Sequence, residues 1–255
     1  MRLMTRNFKP TFDVLKAFKE LSIDDLTFRF DTNGFRVKEV NRGMQTYLDV
    51  YFKASGFDEF SAIALNRVSV DMTVNLNDFL DFTFNKNDRI TIETQENKML
   101  LKAESDTITK LEIPLLEKSA EDLETIKIDM IKSDTSMIEL DFKAFKTILK
   151  NYLKEDSVTF EINDNISTNT QGFKINTERG QETKVLKGTD IIKEIRGNAK
   201  ARYSIEYLKL LTKLDTKTFT NIRIEFKTDF PIVFTLVNEN IKVEYLVAPR
   251  VCDDE

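Results

Sequence analysis

The side chains best suited to chemistry in this sequence are lysines that repeat along three amphipathic segments. Within each segment the lysines are spaced so that on a helix they share the face opposite the apolar residues. They are Lys16 and Lys19, then Lys143, Lys146 and Lys150, and finally Lys209 and Lys213. Ammonium groups on one face attract phosphate without reading a base sequence. One such face is usually only solvated surface, but three in one chain favour a shared anionic partner.

Residues that are missing exclude most familiar enzyme chemistry. The chain has no histidine, so catalytic triads and histidine-ligated metals are unavailable. Cys252 is the only cysteine, which excludes an intramolecular disulfide and a cysteine-rich zinc site. Carboxylates alone could still serve a metal-dependent enzyme, but among 43 acids no pair stands out. We therefore predict no catalytic residue, no metal site and no cofactor.

The composition is that of a globular protein. The 255 residues include 41% hydrophobic ones, enough for one large core or two smaller ones, and the formal net charge is −5. No stretch approaches the roughly 18 apolar residues of a membrane span, and cations interrupt the first residues, unlike a signal peptide. The sequence therefore predicts an intracellular protein without a membrane contact.

The first half of the sequence alternates between helical and strand patterns. Apolar residues at helical spacing predict a helix over residues 9–21, with Pro10 at its start, and a second one over 76–84. Alternating patterns predict strands, two of which flank a turn at Gly34 as in a hairpin. These strands cover residues 26–30, 35–40, 46–52, 89–94 and 98–104.

The second half repeats this order. Helices are predicted over 141–156 and 203–214, and strands over 158–162, 170–175, 221–226 and 230–237. An offset of 132 residues separates Phe28 from Phe160 and also Ile90 from Ile222. An internal duplication explains the shared order and spacing, whereas an ordinary α+β chain with recurrent patterns is the alternative. Between the halves, the acidic stretch 114–131 is interpreted as a connector.

Four stretches carry a resemblance to a known family. RYSIEYLKLLTKL, DFPIVFTL and the ending EYLVAPRV lie in the last quarter, and SGFDEFSAIALNRVSVDMTVNL covers residues 55–76. In this order, the chain resembles sliding clamps of the proliferating cell nuclear antigen (PCNA) family over almost its whole length. The Leu-Ala-Pro type of ending is weak alone and specific in register with both duplicated halves.

The resemblance implies an α+β protein with two similar domains, the DNA clamp fold. Its antiparallel sheets lie outside and its helices line the inside of a ring. The domains are expected at residues 1–113 and 132–255, joined by the connector. Edge strands around Asp106–Leu115 and Gln181–Lys187 should pair between subunits. The helical lysines would face duplex DNA, with Lys19, Lys150 and Lys213 at positions that are basic in the family.

The resemblance also implies a groove for partner peptides. The family's partners insert a short peptide with apolar and aromatic anchors beside the end of the chain, and the partners would be DNA polymerase, the clamp loader, flap endonuclease and DNA ligase. The matching positions are Val40, Tyr47, Ile126, Pro231, Leu246, Ala248 and Pro249. The acids Asp253, Asp254 and Glu255 would attract basic flanks of such peptides. Without the resemblance, these apolar residues are typical of an ordinary core.

Departures from the family's pattern leave two further readings open. The second helix carries Asp78 and Asp81, of which Asp81 stands where a basic residue is common, and Leu246 replaces a common aromatic residue. The chain is thus expected to be either a homotrimeric clamp or one subunit of a heteromeric replicative or checkpoint ring. It would act in the cytoplasm of an archaeon or in the nucleus of a eukaryote. A carboxylate-based metal enzyme acting on nucleic acid is the alternative from another class.

Overall fold

The chain forms two compact units. The computed structural model describes residues 1–62, 69–95, 97–117, 128–164, 172–177, 183–186 and 190–250. One unit comprises Met1–Arg42, Leu48–Leu123 and Glu239–Lys242, and the other comprises Gly43–Tyr47, Glu124–Asn238 and Val243–Glu255. Both are α+β with antiparallel sheets, as predicted. The domain limits at residues 113 and 132 stay a prediction.

Two layers of strands and two helices build the first unit. Its elements are β1 (Arg2–Thr5), α1 (Lys9–Ala17), β2 (Asp25–Asp31), β3 (Gly34–Val40), β4 (Thr46–Lys53), β5 (Glu59–Ser61), β6 (Val70–Asn75), α2 (Leu76–Leu80), β7 (Arg89–Gln95), β8 (Lys98–Glu104) and β9 (Ile108–Pro114). One sheet has the order β5-β1-β7-β8-β9, and the other strands follow the order β4-β3-β2-β6.

The first helix forms where the sequence predicts it. Pro10 lies in its first turn, where a missing backbone N–H costs nothing. Val14 and Leu15 are buried. After Ala17 the chain tightens into a 3₁₀ turn (Phe18–Leu21), and Ser22 ends it in the left-handed conformation with φ of 53°. The predicted segment 9–21 is thus helical throughout, with a change of winding near its end.

The second helix is shorter than predicted. The amide oxygen of Asn75 accepts the N–H groups of Asn77 and Asp78 and starts α2, which ends at Leu80 rather than at residue 84. Aromatic packing explains the difference, because Phe84 contacts Phe8 and Phe12 with ring centroids 5.6 and 5.1 Å apart. Tertiary contacts have overridden the helical pattern at these positions.

The second unit has the same plan as the first. Its elements are α3 (Ile128–Ile131), β10 (Ser136–Asp141), α4 (Phe142–Lys150), β11 (Ser157–Asn163), β12 (Gly172–Thr177), β13 (Thr183–Leu186), β14 (Ile192–Arg196), β15 (Ala199–Ser204), α5 (Ile205–Lys213), β16 (Asn221–Phe226), β17 (Ile232–Val237) and β18 (Ile241–Val247). Its strands follow the orders β14-β10-β16-β17-β18 and β13-β12-β11-β15.

The third and fourth predicted helices extend too far. The carboxylate of Asp141 caps α4 at the N–H of Ala144, but the helix ends at Lys150 and not at residue 156. Tyr152 is buried and donates its hydroxyl to the carbonyl of Ile175 at 3.2 Å, which holds the chain in a turn. The helix predicted from residue 203 begins at Ile205, because Tyr203 pairs with Val158 in the sheet.

The structure confirms the internal duplication. Helix α1 lies between β1 and β2 as α4 lies between β10 and β11, and α2 and α5 occupy equivalent places later in each unit. The two hairpin turns match in detail, since Gly34 and Gly172 both have φ of 155°. A Cβ atom at Gly34 would lie 2.0 Å from the carbonyl oxygen of Phe52, so only glycine fits there.

Both strands predicted to pair between subunits are edge strands. Strand β9 ends one sheet of the first unit and β13 ends one sheet of the second. Residues 181, 182 and 187 of the predicted interface lie outside the described residues. The same holds for residues 118–127 of the connector, whose end forms the short helix α3.

Candidate functional site

Lysines of the first unit are exposed as predicted. Lys16 lies in the last turn of α1 and Lys19 in the 3₁₀ turn that follows. Both side chains are solvent-exposed, while Val14, Leu15 and Phe18 point into the core. Neither lysine has an ion-pair partner among the residues that the structure describes. These two ammonium groups are therefore available to an external anion.

The second unit presents exposed lysines on two helices that contact each other, α4 and α5. Lys143 and Lys150 are exposed on α4, where Phe142, Phe145 and Leu149 form the buried face. Exposed lysines of α5 are Lys209 and Lys213. Within the described ranges, Lys143, Lys150 and Lys209 form no ion pair.

Lys146 differs from its neighbours on α4. Its ammonium group is half-buried and donates a hydrogen bond to the carbonyl oxygen of Leu214, the residue that ends α5. Burial lowers the pKa of Lys146, the charge of Lys150 lowers it further, and Asp215 opposes the decrease. The side chain thus joins two helices, a role that its spacing in the sequence does not reveal.

Helix α2 carries the opposite charge. Asp78 and Asp81 are both exposed, and the first cation after them is Lys86 in the turn that leads to β7. Of α1, α2, α4 and α5, helix α2 is the least suited to contact an anion.

Several residues of the predicted peptide groove are brought together at the end of β18. The N–H of Ala248 donates to the carbonyl of Gln45 at 2.8 Å, which fixes the chain beside the loop before β4. The N–H of Arg250 donates to the carbonyl of Arg202 at 2.7 Å. The neighbouring Tyr203 donates its hydroxyl to the carbonyl of Phe230 at 2.7 Å. Pro231 directly follows Phe230, and Pro249 directly precedes Arg250. Both prolines are therefore held near the same end of β15.

The groove residues differ in accessibility. Pro231, Ala248 and Pro249 are partly exposed, whereas Leu246 and Tyr47 have exposed fractions of only 8% and 1%. Tyr47 can therefore support a surface but not form one. Val40 ends β3 in the first unit. Ile126 and the acids Asp253, Asp254 and Glu255 lie outside the described residues.

Two exposed apolar residues beside this region were not predicted. Met44 has 85% of its surface exposed and a φ of 57°, one residue before Gln45. Phe230, next to Pro231, is 40% exposed, and the ammonium of Lys227 lies 5.7 Å from its ring centre. Exposed methionine and aromatic side chains are typical of protein-binding surfaces. The sequence signal was available in Met44, because it stands in a polar turn where no core requires it.

Lys132 is a further residue that sequence reasoning missed. Its ammonium group lies 2.6 Å from the carboxylate of Glu244 on β18, 3.5 Å from Glu225 on β16 and 3.0 Å from the hydroxyl of Thr235 on β17. Glu244 and Leu246 point to the same face of β18, since residues two apart in a strand do so. Lys132 therefore fixes the end of the connector on the face that carries Leu246.

The described residues show neither a metal-ligand cluster nor a membrane-spanning helix. No group of three or more potential metal ligands occurs in the described parts of the chain. No helix there is long and apolar enough to cross a membrane. A scan of the chain against models of known protein families finds no match.

The chain is similar in sequence to archaeal proteins named as DNA polymerase sliding clamps. It is 24% identical over 234 residues to DNA polymerase sliding clamp 1 of Pyrobaculum aerophilum, covering 90% of both chains. It is also 24% identical over 252 residues to the DNA polymerase sliding clamp of Methanothermobacter thermautotrophicus, covering 97% of this chain and 95% of the relative.

Solved structures show the same fold. A chain of the PCNA2–PCNA3 complex from Sulfolobus tokodaii matches 98% of this chain with a TM-score of 0.83 and 20% identity, and 99% of its own length is covered. The proliferating cellular nuclear antigen of Entamoeba histolytica matches with a TM-score of 0.81 and 16% identity, covering 98% of both chains. The chain therefore has the fold of the proliferating cell nuclear antigens, and its sequence is similar to those of archaeal DNA polymerase sliding clamps.

Proposed function

We propose that the chain is a DNA polymerase processivity factor, a subunit of a ring that encircles duplex DNA inside the cell. The observation that carries this proposal is the set of exposed helical lysines in both units. Lys16, Lys19, Lys143, Lys150 and Lys209 have no ion-pair partner among the described residues, in a chain of net charge −5. These cations lie on equivalent helices of a duplicated fold and have no described protein partner. They are therefore suited to bind the phosphate backbone of a nucleic acid.

The lysine side chains would hold DNA loosely. Long, flexible and solvated ammonium groups contact phosphates without fixed geometry, so each contact is weak and independent of sequence. A ring that is closed around DNA stays bound because of its topology, and weak contacts let it slide. Lys213 belongs to the same face, whereas Lys146 supports it through its bond to Leu214.

Subunits would join through their edge strands. Strand β9 of one subunit and β13 of the next each have an unpaired edge within the described residues, and pairing them would satisfy backbone donors and acceptors. A homotrimer is the simplest closed ring of this kind. A heteromeric ring is the second candidate, because acidic α2 would make a ring of identical subunits less cationic. Its solved relative from Sulfolobus tokodaii is itself a PCNA2–PCNA3 complex. The native mass of the purified chain distinguishes a trimer from a monomer that awaits other subunits.

The groove at the end of β18 would tether partner enzymes. Polymerase, clamp loader, flap endonuclease and ligase would each insert an apolar peptide near Pro231, Ala248 and Pro249, with Met44 and Phe230 beside them. Leu246 would form the floor of this groove, and the buried Tyr47 would support that floor. Val40 and Ile126 stay predicted contacts. In this role the protein has no catalytic activity of its own, and we expect no DNA cleavage when magnesium is added.

Reversing the charge of two helical lysines should weaken retention on DNA. We expect K143E/K150E to leave closed circular DNA faster than the unmodified protein, because two attractive contacts per subunit become repulsive. Gel filtration of loaded, nicked circles that are then ligated measures the retained fraction. The control K193E/K200E changes two exposed strand lysines by the same charge. Equal retention of all three proteins, with the native mass unchanged, would contradict the proposed DNA surface.

A further inference from the structure

An open, cationic cleft lies in the first unit, and none of the helical lysines named above belongs to its lining. It has a volume of about 580 Å³ and is lined by Arg6, Lys86, Asn87, Arg89, Glu104 and Ser105. No apolar side chain belongs to this lining. The cleft therefore suits a charged, hydrated ligand and not an apolar small molecule.

Three separate segments position the cations. The N–H of Arg6, just after β1, donates to the carboxylate of Asp58 at 3.0 Å. Lys86 lies in a turn that Asp88 closes by accepting the N–H of Asn85 at 2.7 Å. Arg89 begins β7, opposite Glu104 on β8. Backbone bonds thus hold all three cations in place without using their charged groups.

The nearby acids leave the cleft positive. Glu104 lies 2.6 Å from the ammonium of Lys102. That hydrogen bond lowers the pKa of Glu104, and the charges of Lys102, Arg89 and Lys110 lower it further. Asp88 is buried and accepts the N–H of Asn85 with Oδ2, and its single negative charge is outnumbered by the charges of Arg6, Lys86 and Arg89. Arg6, Lys86 and Arg89 form no ion pair within the part of the chain that the structure describes.

The position of Lys86 relates the cleft to α2. Asp78 and Asp81 make that helix acidic on its exposed side, and Lys86 follows in the turn that leaves it. Lys86 therefore supplies a cation beyond the end of α2, and it lines the cleft together with Arg6, which follows β1, and Arg89, which begins β7. Arginine forms paired hydrogen bonds to phosphate oxygens, which suits it for this role.

We propose that the cleft of Arg6, Lys86 and Arg89 binds the phosphate backbone of duplex DNA and replaces α2 as the DNA contact of this part of the chain. This proposal rests on the proposed function. A nucleic acid is favoured over an acidic protein because protein interfaces have apolar cores, whereas interfaces with nucleic acids are polar and strongly cationic.

Neutralising the cleft tests the proposal. The variant R6Q/K86Q/R89Q is titrated with a short fluorescent duplex at several salt concentrations. We expect about tenfold weaker binding at low salt, and a smaller slope of log K against log salt, since each phosphate contact contributes about 0.9 to that slope. The control K53Q/K193Q/K200Q removes the same charge from exposed strand residues and should leave the slope unchanged.

The outcomes separate this proposal from the proposed function. If K143E/K150E weakens binding and the cleft variant does not, the ring function stands and the cleft proposal is wrong. If the cleft variant loses native mass in the absence of DNA, the cleft binds another subunit and the proposal is also wrong. If the unmodified protein neither binds the duplex nor stays on circular DNA, the proposed function itself fails. The melting temperature of each variant shows that it is folded.

Discussion

Replacing Lys132 by methionine is expected to lower the free energy of unfolding by about 3–5 kcal/mol, the usual cost of removing one partner from a buried ion pair. The exposed fraction of the Lys132 side chain is 17%, and those of Glu225 and Glu244 are 11% and 7%. Methionine has a similar volume, so packing is largely kept and the change isolates the charge. Denaturant unfolding followed by circular dichroism measures the loss.

The cause of the loss is the pair of carboxylates that stays behind. Without Lys132, the carboxylates of Glu225 and Glu244 lie close together in one largely buried place and repel each other. The control K132M/E225Q/E244Q removes the charges together, and it should recover more than half of the lost stability because no unpaired charge remains buried. Equal stability of K132M and the unmodified protein would show that the carboxylates find water or other partners.

The contacts of Lys132 with Glu225, Glu244 and Thr235 should also affect peptide binding in the groove. They attach the end of the connector to β16, β17 and β18 on the face that carries Leu246. A peptide that packs there benefits when this wall is already ordered, since less conformational freedom is lost on binding. K132M should therefore also weaken peptide binding, even at temperatures where the protein is fully folded.

Much of the fold could be predicted from periodicity. Helix α1 follows its apolar stripe, and both hairpins follow the turn glycines Gly34 and Gly172. Predicted helix ends were the main error, because the ends of α2 and α4 are set by contacts that are distant in sequence. Phe84 lies beyond the end of α2 and packs on Phe8. Tyr152 lies beyond the end of α4 and donates a hydrogen bond to Ile175. A local pattern carries no information about such partners.

The candidate site could be predicted in part, for the same reason. Spacing identified the exposed lysines, since a helix face depends only on positions along one segment. Spacing did not distinguish Lys146 from the exposed lysines, because its hydrogen bond to Leu214 depends on where α5 ends. Nor could it find the cleft, because Arg6 is about 80 residues away from Lys86 and Arg89 and meets them only through the pairing of β1 with β7.

Filling the space beside Ala248 is expected to have the largest effect on partner binding. We expect A248Y to weaken the binding of a peptide with apolar and aromatic anchors by about 100-fold, close to 2.8 kcal/mol. Ala248 is partly exposed, and its backbone is held by the bond to Gln45. A tyrosine ring at that position cannot withdraw by moving the chain, so it occupies the volume that an anchor of the peptide needs. Titration calorimetry with a synthetic peptide measures the affinity.

The position of the substitution, and not its bulk, should decide the result. The matched variant V237Y adds a similar ring at an exposed residue of β17, where 54% of the valine surface is accessible, and it should bind the peptide normally. Because neither residue belongs to the helical lysine faces, both variants should stay on circular DNA like the unmodified protein. Normal peptide affinity in A248Y would place the groove elsewhere. Loss of both peptide binding and DNA retention would mean that the substitution disturbs the second unit as a whole, since a groove contact alone leaves the ring and its lysines intact.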